Sequence, residues 1–275
     1  MSMEIDLFLP TRNRINNVIR LMHSAFTRAT KSERITLHLY LDDNDPSARA
    51  AEGVYKALPH GKQVVFHHGP QLQALGETYN VMAKHSDGEV IVCLGDDVVF
   101  DTNGWDCMVE KHFANHPISL YYGDDLLGHE VIAVHPIVSR RHFEILGEIF
   151  YVHRADPTDN PDVKDLDEGF GLTDVWLHDV YTRCHQIYYD PTLVMRHVHP
   201  NFDPRVKVDA TYLRVTPEQQ VNPKVLWDIL TWRRLKTYAL FIHTMSLRQE
   251  RADRLLREIE RMEKERQHVI FTGVA

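Results

Sequence analysis

Apolar, strand-like segments alternate with amphipathic, helix-like segments in the first part of the chain, and this alternation constrains the fold more than any other sequence feature. Strands are predicted over residues 5–10, 35–41, 63–67 and 89–94. Helices are predicted between them, near residues 15–26, 47–57 and 72–82, where apolar residues recur on one helical face. Strands separated by helices form βαβ units, so the sequence predicts an α/β fold with a mostly parallel sheet flanked by helices.

The pattern is less regular after residue 100. Helices are predicted over residues 105–112, 139–146 and 172–184, and strands over residues 118–122, 131–138 and 193–199. Residues 154–169 are rich in Asp and Pro and are predicted to form a long loop. The chain is predicted to be mostly helical from Lys224 onward, so we divide it into a domain over residues 1–215 and a C-terminal helical extension over residues 216–275.

The composition excludes some functional classes. The chain has 275 residues and a formal net charge of −8, which gives no whole-molecule attraction to nucleic acid or to anionic membranes. It has neither a basic and apolar N-terminal signal nor the apolar run of about 20 residues that a membrane-spanning helix needs. We therefore expect a cytoplasmic protein without a transmembrane segment, and peripheral attachment to a membrane stays open.

Polar and acidic residues stand at the ends of three predicted strands. These segments are Pro10-Thr11-Arg12, Asp42-Asp43 and Gly95-Asp96-Asp97. Ligands of open parallel sheets bind at the carboxyl ends of the strands, so we expect the three segments to share one site. Mg²⁺ is usually held by one or two carboxylates together with substrate phosphates, and Asp96-Asp97 is placed for that role. The alternative for this doublet alone is a solvated acidic turn.

The other two strand ends suit the remaining parts of a nucleotide. Asp42 and Asp43 are placed to accept hydrogen bonds from a base or a ribose. The alternative for either residue is a capping or turn role ahead of Pro46. Arg12 could pair with a diphosphate oxygen, and its alternative is a plain surface charge.

The second half of the chain holds an acid and a histidine pair. Asp174 lies in the first turn of a predicted helix, where it could be a general base or could simply be favoured by the helix dipole. One base, one acceptor hydroxyl and one departing diphosphate suffice for a direct displacement with inversion. His197 and His199 would lie on the same face of a strand and could reach one ligand together. Because the chain has 18 histidines, a chance pair is the alternative.

These residues and their order resemble the GT-A fold glycosyltransferases, and within them the large family 2 group. The segment Phe8 to Arg14 is similar to that family's first strand and nucleotide loop. Gly95-Asp96-Asp97 matches the position of its Asp-x-Asp motif, with glycine in place of the first acid. Thr173-Asp174 falls where members carry a catalytic base, often written Glu-Asp, and here the first acid is again absent. The resemblance covers roughly residues 4–215.

The resemblance implies a Rossmann-like GT-A domain with a nucleotide-binding half, about residues 1–100, and an acceptor half, about residues 101–215. It implies a nucleotide-binding set that comprises Pro10, Thr11, Arg12, Arg14, Asp42, Asp43, Gly76, Asn80 and Asp96. It places Mn²⁺ or Mg²⁺ at Asp97, with His197 or His199, and the catalytic base at Asp174. The implied activity is an inverting transfer from a nucleotide diphosphate sugar, commonly a UDP-sugar, to an acceptor hydroxyl.

Two other functions stay open from the sequence. One is a nucleotidyltransferase on a similar sheet, and the other is a non-catalytic protein that binds sugar nucleotides, which the glycine at 95 and the threonine at 173 favour. The acceptor could be a glycan, a lipid, a protein or a modified base of nucleic acid. The basic and aromatic segment Lys224 to Lys236 could touch a membrane or a polynucleotide, or it could pack on the domain. The nearly neutral helix Leu247 to Gln267 suits solvent or a contact between subunits of a homo-oligomer.

Overall fold

Strands and helices alternate along the chain as the sequence predicts. The computed structural model describes residues 3–72, 75–152, 173–198 and 245–272. The strands are β1 (Ile5–Thr11), β2 (Ile35–Asp42), β3 (Val64–Gly69), β4 (Val90–Cys93), β5 (Val98–Phe100), β6 (Leu120–Asp124), β7 (Ile137–Ser139) and β8 (Ile187–His197). The helices are α1 (Ile15–Arg28), α2 (Ala48–Ala57), α3 (Leu75–Lys84), α4 (Trp105–Asn115), α5 (Arg140–Leu146), α6 (Thr173–Arg183) and α7 (Met245–Thr272).

The described strands form one eight-stranded sheet with the order β3-β2-β1-β4-β7-β6-β8-β5. Strands β1 to β4 pair in parallel, as expected for βαβ units. The other half of the sheet is mixed, because β7 is antiparallel to β4 and β6, and β5 is antiparallel to β8, while β6 and β8 are parallel. Strands β1, β2, β3, β4, β6 and β8 therefore point the same way. Their carboxyl ends lie along one edge of the sheet.

Helices cover both faces of the sheet, which explains why its central strands are continuous apolar runs. Helices α1, α2 and α4 pack on one face, in a core that includes Leu7 and Trp105. Helices α3, α5, α6 and α7 cover the other face, in a core that includes Phe8 and Leu177. This two-sided packing confirms the predicted α/β architecture, and it leaves the strand ends as the place where polar side chains can gather.

The strand predicted over residues 131–138 is wrong for most of its length. The chain forms a 3-10 turn at His129–Val131, and only Ile137–Ser139 joins the sheet as β7. Val134 N–H donates to the carbonyl oxygen of Ile132, and this local hydrogen bond takes the intervening residues out of the ladder. Apolar residues alone do not distinguish such a buried connection from a strand.

The last strand is longer than predicted. β8 begins at Ile187 and continues through Pro191, although proline cannot donate to a sheet. The pairing with β6 shifts here, since Gly123 pairs with Asp190 but Asp124 pairs with Val194. This bulge removes Pro191 from the ladder and lets the strand continue to His197.

The C-terminal helix α7 packs against α5 and α6. Ala252 and Leu255 are buried there, and Arg248 is only 1% exposed, with its Nε 2.5 Å from Asp179 Oδ2. One face of this helix is therefore packed within the chain. No described helix combines the length and apolar character required for crossing a membrane. His199, the 154–169 loop and the Lys224 to Lys236 segment lie outside the described residues.

Candidate active site at the carboxyl edge of the sheet

Polar side chains from five strands meet along the carboxyl edge of the sheet. They are Thr11 at the end of β1, Asp42 at the end of β2, Asp96 and Asp97 after β4, Asp125 after β6 and His197 at the end of β8. The shared strand direction brings these residues to one edge, which is where open α/β sheets bind ligands. The three segments that the sequence predicts to form one site therefore do end at the same edge.

Asp96 connects the end of β4 to the loop after β1. Its two carboxylate oxygens accept hydrogen bonds from Thr11 Oγ1 at 2.8 Å and from Arg14 Nη1 at 2.9 Å. The Asp96 and Arg14 side chains are each only 7% exposed. Burial raises the pKa of Asp96 to about 6, with a smaller contribution from Asp97, although Arg14 and Thr11 act in the opposite direction. Asp96 thus fixes the geometry of the loop that carries Arg12 and Arg14.

Arg12 makes the corresponding connection to β2. Its Nη1 lies 2.9 Å from Asp42 Oδ2 and also donates to Asn44 Oδ1. The adjacent Asn13 has a left-handed backbone, with φ of 53°, and its N–H donates to Asp45 Oδ2 at 2.8 Å. The loops after β1 and β2 are therefore held together by two carboxylates. Asp42 stays at the edge with 13% of its side chain exposed, where a ribose or base could reach it.

Asp97 faces His197. His197 Nε2 lies 3.3 Å from Asp97 Oδ1, and Val198 N–H donates to the backbone oxygen of Asp97 at 2.7 Å. A Cβ atom on Gly95 would stand 2.8 Å from Asp97 Oδ1. A side chain at position 95 would therefore clash with the Asp97 carboxylate, which explains the glycine at this position.

Asp125 lies on the other side of His197, and the sequence patterns did not single it out. Its Oδ2 is 4.0 Å from His197 Nδ1, and its backbone oxygen accepts from His197 N–H at 3.0 Å. The Asp125 Oδ1 accepts hydrogen bonds from the N–H groups of Leu127, Gly128 and His129, which holds the buried carboxylate in place. Burial lowers the pKa of His197, but the charges of Asp97 and Asp125 outweigh it, so the net shift is upward.

His135 adds a second imidazole beside His197. The two rings meet edge to face with their centroids 5.3 Å apart. His135 is 5% exposed, and its Nε2 has no hydrogen-bond partner among the residues that the structure describes. Burial, followed by the proximity of His197, lowers the pKa of His135 to about 4, so this imidazole is neutral at pH 7.

Asp174 approaches the same edge from helix α6. Helix α6 directly precedes β8 in the chain, and β8 begins at the edge opposite to the site. The end of α6 therefore lies at that opposite edge, and its start, with Asp174, lies at the carboxyl edge where β8 ends. Asp174 Oδ1 accepts from Val175 N–H at 2.8 Å, and burial raises the pKa of the carboxyl. Burial also raises the pKa of the Tyr79 hydroxyl, and neighbouring negative groups that include Asp97, Asp96 and Asp174 raise it further. The three carboxyls therefore lie near enough to one buried phenol to act on its ionisation.

Several predicted nucleotide-binding residues have structural partners. Asn80 Oδ1 accepts from the N–H groups of Ile149 and Phe150, and its Nδ2 donates to the oxygen of Phe150, so its amide holds this connection. Gly76 is buried in the first turns of α3. Pro10 lies within β1, beside Tyr40 of β2. Asp43 is exposed, and its N–H donates to Gly69 O at 2.7 Å.

The metal expectation can be tested on the ligand set. Within the described ranges, no three His, Cys, Asp or Glu side chains form a group that could hold a metal ion. Asp97 and His197 provide one oxygen and one nitrogen ligand, and His199 is not described. A cation of the Mg²⁺ type usually keeps several waters and binds through one or two carboxylates plus substrate phosphates. The pair therefore fits a metal that is completed by the substrate.

Comparison with known proteins supports the resemblance seen in the sequence. Residues 6–124 match the model of glycosyl transferase family 2. The matched segment runs from β1 to the end of β6, so it includes Thr11, Asp42, Asp96 and Asp97. No curated protein sequence matches the chain.

Solved structures are similar at the level of the fold. The mannosyltransferase PcManGT from Pyrobaculum calidifontis, in complex with GDP-Man and Mn²⁺, aligns with a TM-score of 0.57 at 9% identity, over 93% of this chain and 86% of that one. Residues 1–349 of TarS from S. aureus, in complex with UDP-GlcNAc, align with a TM-score of 0.54 at 10% identity, over 78% of this chain and 64% of that one. At these identities the likeness confirms the predicted GT-A fold.

Proposed function

We propose that this chain, whose residues 6–124 match the model of glycosyl transferase family 2 and whose fold is similar to that of the GT-A glycosyltransferases, is a glycosyltransferase with a specific chemistry. The proposed reaction is the metal-dependent transfer of a sugar from a nucleotide diphosphate sugar, with a UDP-sugar as the first donor, to an acceptor hydroxyl with inversion. The observation that carries it is the pairing of Asp97 with His197 at the carboxyl edge of the sheet, with Asp174 near enough to raise the pKa of Tyr79 as Asp97 does.

The donor side of the site is built on the loops after β1 and β2. Asp42 can accept a hydrogen bond from a ribose hydroxyl or a base, because Arg12 holds its carboxylate at the edge of the sheet. Asp96 orients Arg14 and Thr11 and thereby fixes the loop on which the nucleotide would bind. Both ion pairs are made before any donor arrives, which lowers the entropic cost of binding it.

Asp97 and His197 are the residues that would hold Mn²⁺ or Mg²⁺. When bound there, such an ion neutralises the diphosphate and favours its departure. Asp125 supports this arrangement by facing the other nitrogen of the His197 ring, since a histidine ligand is commonly oriented by a carboxylate on its second nitrogen.

Asp174 supplies the base in this proposal. Its carboxylate can take the proton of the acceptor hydroxyl as the oxygen attacks the sugar. Burial moves the pKa of Asp174 upward, toward the range in which a base is most effective at neutral pH. A single base acting on the acceptor requires no covalent sugar–enzyme intermediate, so the product has the opposite anomeric configuration to the donor.

The decisive experiment measures release of nucleoside diphosphate from UDP- and GDP-sugars by the purified chain with Mn²⁺. We expect Asp174→Asn to lower kcat by about 10²–10⁴-fold while nucleotide binding persists. Asp97→Ala should remove the Mn²⁺-dependent part of UDP binding. Product NMR should show inversion at the anomeric carbon.

Asp87→Asn is the matched control for Asp174→Asn. Asp87 is an exposed carboxylate just before β4, at the opposite edge of the sheet, so its loss should leave turnover unchanged. Full activity in folded Asp97→Ala and Asp174→Asn proteins would refute the proposal. Release of pyrophosphate from nucleoside triphosphates would indicate a nucleotidyltransferase, and nucleotide binding with no turnover would indicate a binding protein.

A further inference from the structure

The chain between β6 and β7 carries two exposed apolar side chains within residues 125–133, the 125–133 connection. Val131 is 77% exposed, more than any other large apolar side chain that the structure describes, and Leu126 is 43% exposed. Isolated exposed apolar residues are ordinary on protein surfaces, whereas apolar groups gathered beside a polar site commonly mark a contact with another molecule. The 125–133 connection starts at Asp125, which faces His197 of the candidate active site.

The backbone at Leu126 is unfavourable for a leucine. Its φ is 64°, in the left-handed region that glycine and asparagine adopt more readily. The turn is held in this shape, because Leu126 N–H donates to Asp124 Oδ1 at 2.8 Å and Leu127 N–H donates to Asp125 Oδ1 at 3.0 Å. Folding alone would therefore favour glycine or asparagine at position 126, both for the backbone and for solvation of the side chain. A contact with a bound molecule would account for leucine at this position.

The 125–133 connection runs from the proposed metal side of the site to the helix that carries the proposed base. At its start, the backbone oxygen of Asp125 accepts from His197 N–H at 3.0 Å. At its end, Ala133 N–H donates to His178 Nδ1 at 3.3 Å. His178 lies four residues after Asp174 in α6, so these two side chains share one face of that helix. An acceptor placed between His197 and Asp174 would therefore lie along this connection.

We propose that the 125–133 connection binds the acceptor, and that the acceptor carries an alkyl chain next to its reacting hydroxyl. The inference rests on the proposed glycosyl transfer, which requires an acceptor beside the base. Leu126 and Val131 offer only hydrocarbon groups, so covering them with an alkyl chain removes apolar surface of both partners from water. Two side chains provide far less surface than the roughly 800 Å² per partner of a stable protein interface, which favours a narrow chain over a protein.

The first test uses methyl glucoside and octyl glucoside as probes of the unaltered chain, with the octyl compound below its micelle concentration. The ¹³C-labelled methyl groups of leucine and valine report directly on Leu126 and Val131. We expect both sets of signals to shift with octyl glucoside, and its affinity to exceed that of methyl glucoside by about tenfold or more, because additional methylene groups are buried. Unmoved signals, or equal affinity for the two glucosides, would refute the inference.

Leu126→Asn and Val131→Thr test the contact itself. Both variants should fold, because asparagine tolerates the left-handed backbone and threonine is β-branched like valine. Each should weaken octyl glucoside binding by about threefold or more, since apolar contact surface is lost. Val65→Thr is the matched control, because Val65 is a 39% exposed valine on β3, the edge strand remote from β6, and it should bind as the unaltered chain does. Undiminished binding by Leu126→Asn and Val131→Thr would overturn the inference.

A competition experiment separates the acceptor site from the donor site. Octyl glucoside should still shift the Leu126 and Val131 signals when UDP and excess Mg²⁺ are present, because donor and acceptor occupy different places. Displacement by UDP would show that the alkyl chain binds in the donor site and would refute the inference. Nucleoside diphosphate release is measured separately on the unaltered chain without glucosides, so failure of the proposed activity and failure of the alkyl site are distinguishable.

Discussion

Asp96 and Asp97 are adjacent in the chain but face different partners. Both residues lie in the turn between β4 and β5. Asp96 points to Thr11 and Arg14 and joins two loops, whereas Asp97 points to His197, with which it would hold the proposed metal. The two carboxylates should therefore respond differently to substitution.

Asp96 should make the stability of the protein depend on pH. Its pKa is raised by burial to about 6 in the folded state, against 3.8 for the ordinary group. The folded state thus binds a proton that the unfolded state releases between these values, so the free energy of unfolding falls as pH rises from about 4 to about 6. Relative to Asp96→Asn, the unaltered protein should gain on the order of 1–3 kcal/mol on acidification across this window.

Urea unfolding of both proteins at several pH values, with EDTA present, measures this effect. The difference in unfolding free energy between the unaltered protein and Asp96→Asn should grow as pH falls. A difference that is flat with pH, or that shrinks on acidification, would show that Asp96 is not the responsible group.

Asp125 should control the His197 side of the proposed metal site. Asp125→Asn keeps the oxygen that accepts from the turn but removes the charge that faces His197 Nδ1. Mn²⁺-dependent UDP binding, measured by calorimetry, should weaken by about 10–100-fold, as is typical when the group behind a histidine ligand is lost. Asp124→Asn is the control, because Asp124 caps the same turn through Leu126 N–H without facing His197. Equal effects of both substitutions would assign Asp125 to the turn alone.

The sequence patterns single out the acids that directly follow predicted strands, but they miss Asp125. The rule that ligands gather at carboxyl ends of strands applies equally to β6. The strand predicted there ends at residue 122, so the acids at 124 and 125 look like an ordinary acidic turn. His135 could not be found either, because its proximity to His197 arises from strand pairing between distant segments.

At the scale of elements, Asn80 joins α3 to the connection that follows α5. Asn80→Ala removes one acceptor and one donor that serve the backbone of Ile149 and Phe150. We expect the free energy of unfolding to fall by on the order of 2 kcal/mol, because buried N–H groups lose their acceptor. UDP affinity of the folded protein should be unchanged.

Asn115→Ala provides the comparison for Asn80→Ala. Asn115 is an exposed residue of α4 whose side chain donates to Lys111 O, so its loss should have little effect on stability. Urea denaturation gives the stability of each variant and calorimetry gives the UDP affinity. A stable Asn80→Ala protein with weakened UDP binding would instead support the nucleotide-binding role implied by the family resemblance.

The predictable elements are those with a long, regular pattern. Strands β1 to β4 and the helices between them follow the predicted order because each is an apolar run or an amphipathic stripe. β5 has only the residues Val98–Phe100 and follows the acidic doublet directly, so no periodicity marks it. The sequence does not predict the early part of β8, because Pro191 argues against a strand there. The bulge opposite Gly123 and Asp124 accommodates this proline.

At the scale of the whole molecule, alternation of strands and helices was sufficient to predict one shared edge for the site. It was not sufficient to predict where the C-terminal helix packs. The charges of α7 nearly cancel along its surface, which suits solvent, a second subunit or the domain itself. The structure shows Arg248 and Arg251 reaching Asp179 and Glu148 of the domain, so specific ion pairs rather than overall charge select the docking place.

This packing leads us to propose that α7 and the GT-A domain unfold as one cooperative unit. Leu255 is fully buried between α7 and the face covered by α5 and α6. Leu255→Ala should lower the free energy of unfolding of the whole protein by about 2–5 kcal/mol, the range for a leucine removed from a packed core. Glu260→Ala, on an exposed position of the same helix, should change it by no more than about 0.5 kcal/mol. Circular dichroism and tryptophan fluorescence should report coincident urea transitions in both variants, as two-state unfolding requires. A separate early transition in Leu255→Ala, with the remaining domain as stable as before, would show instead that α7 is an independent extension.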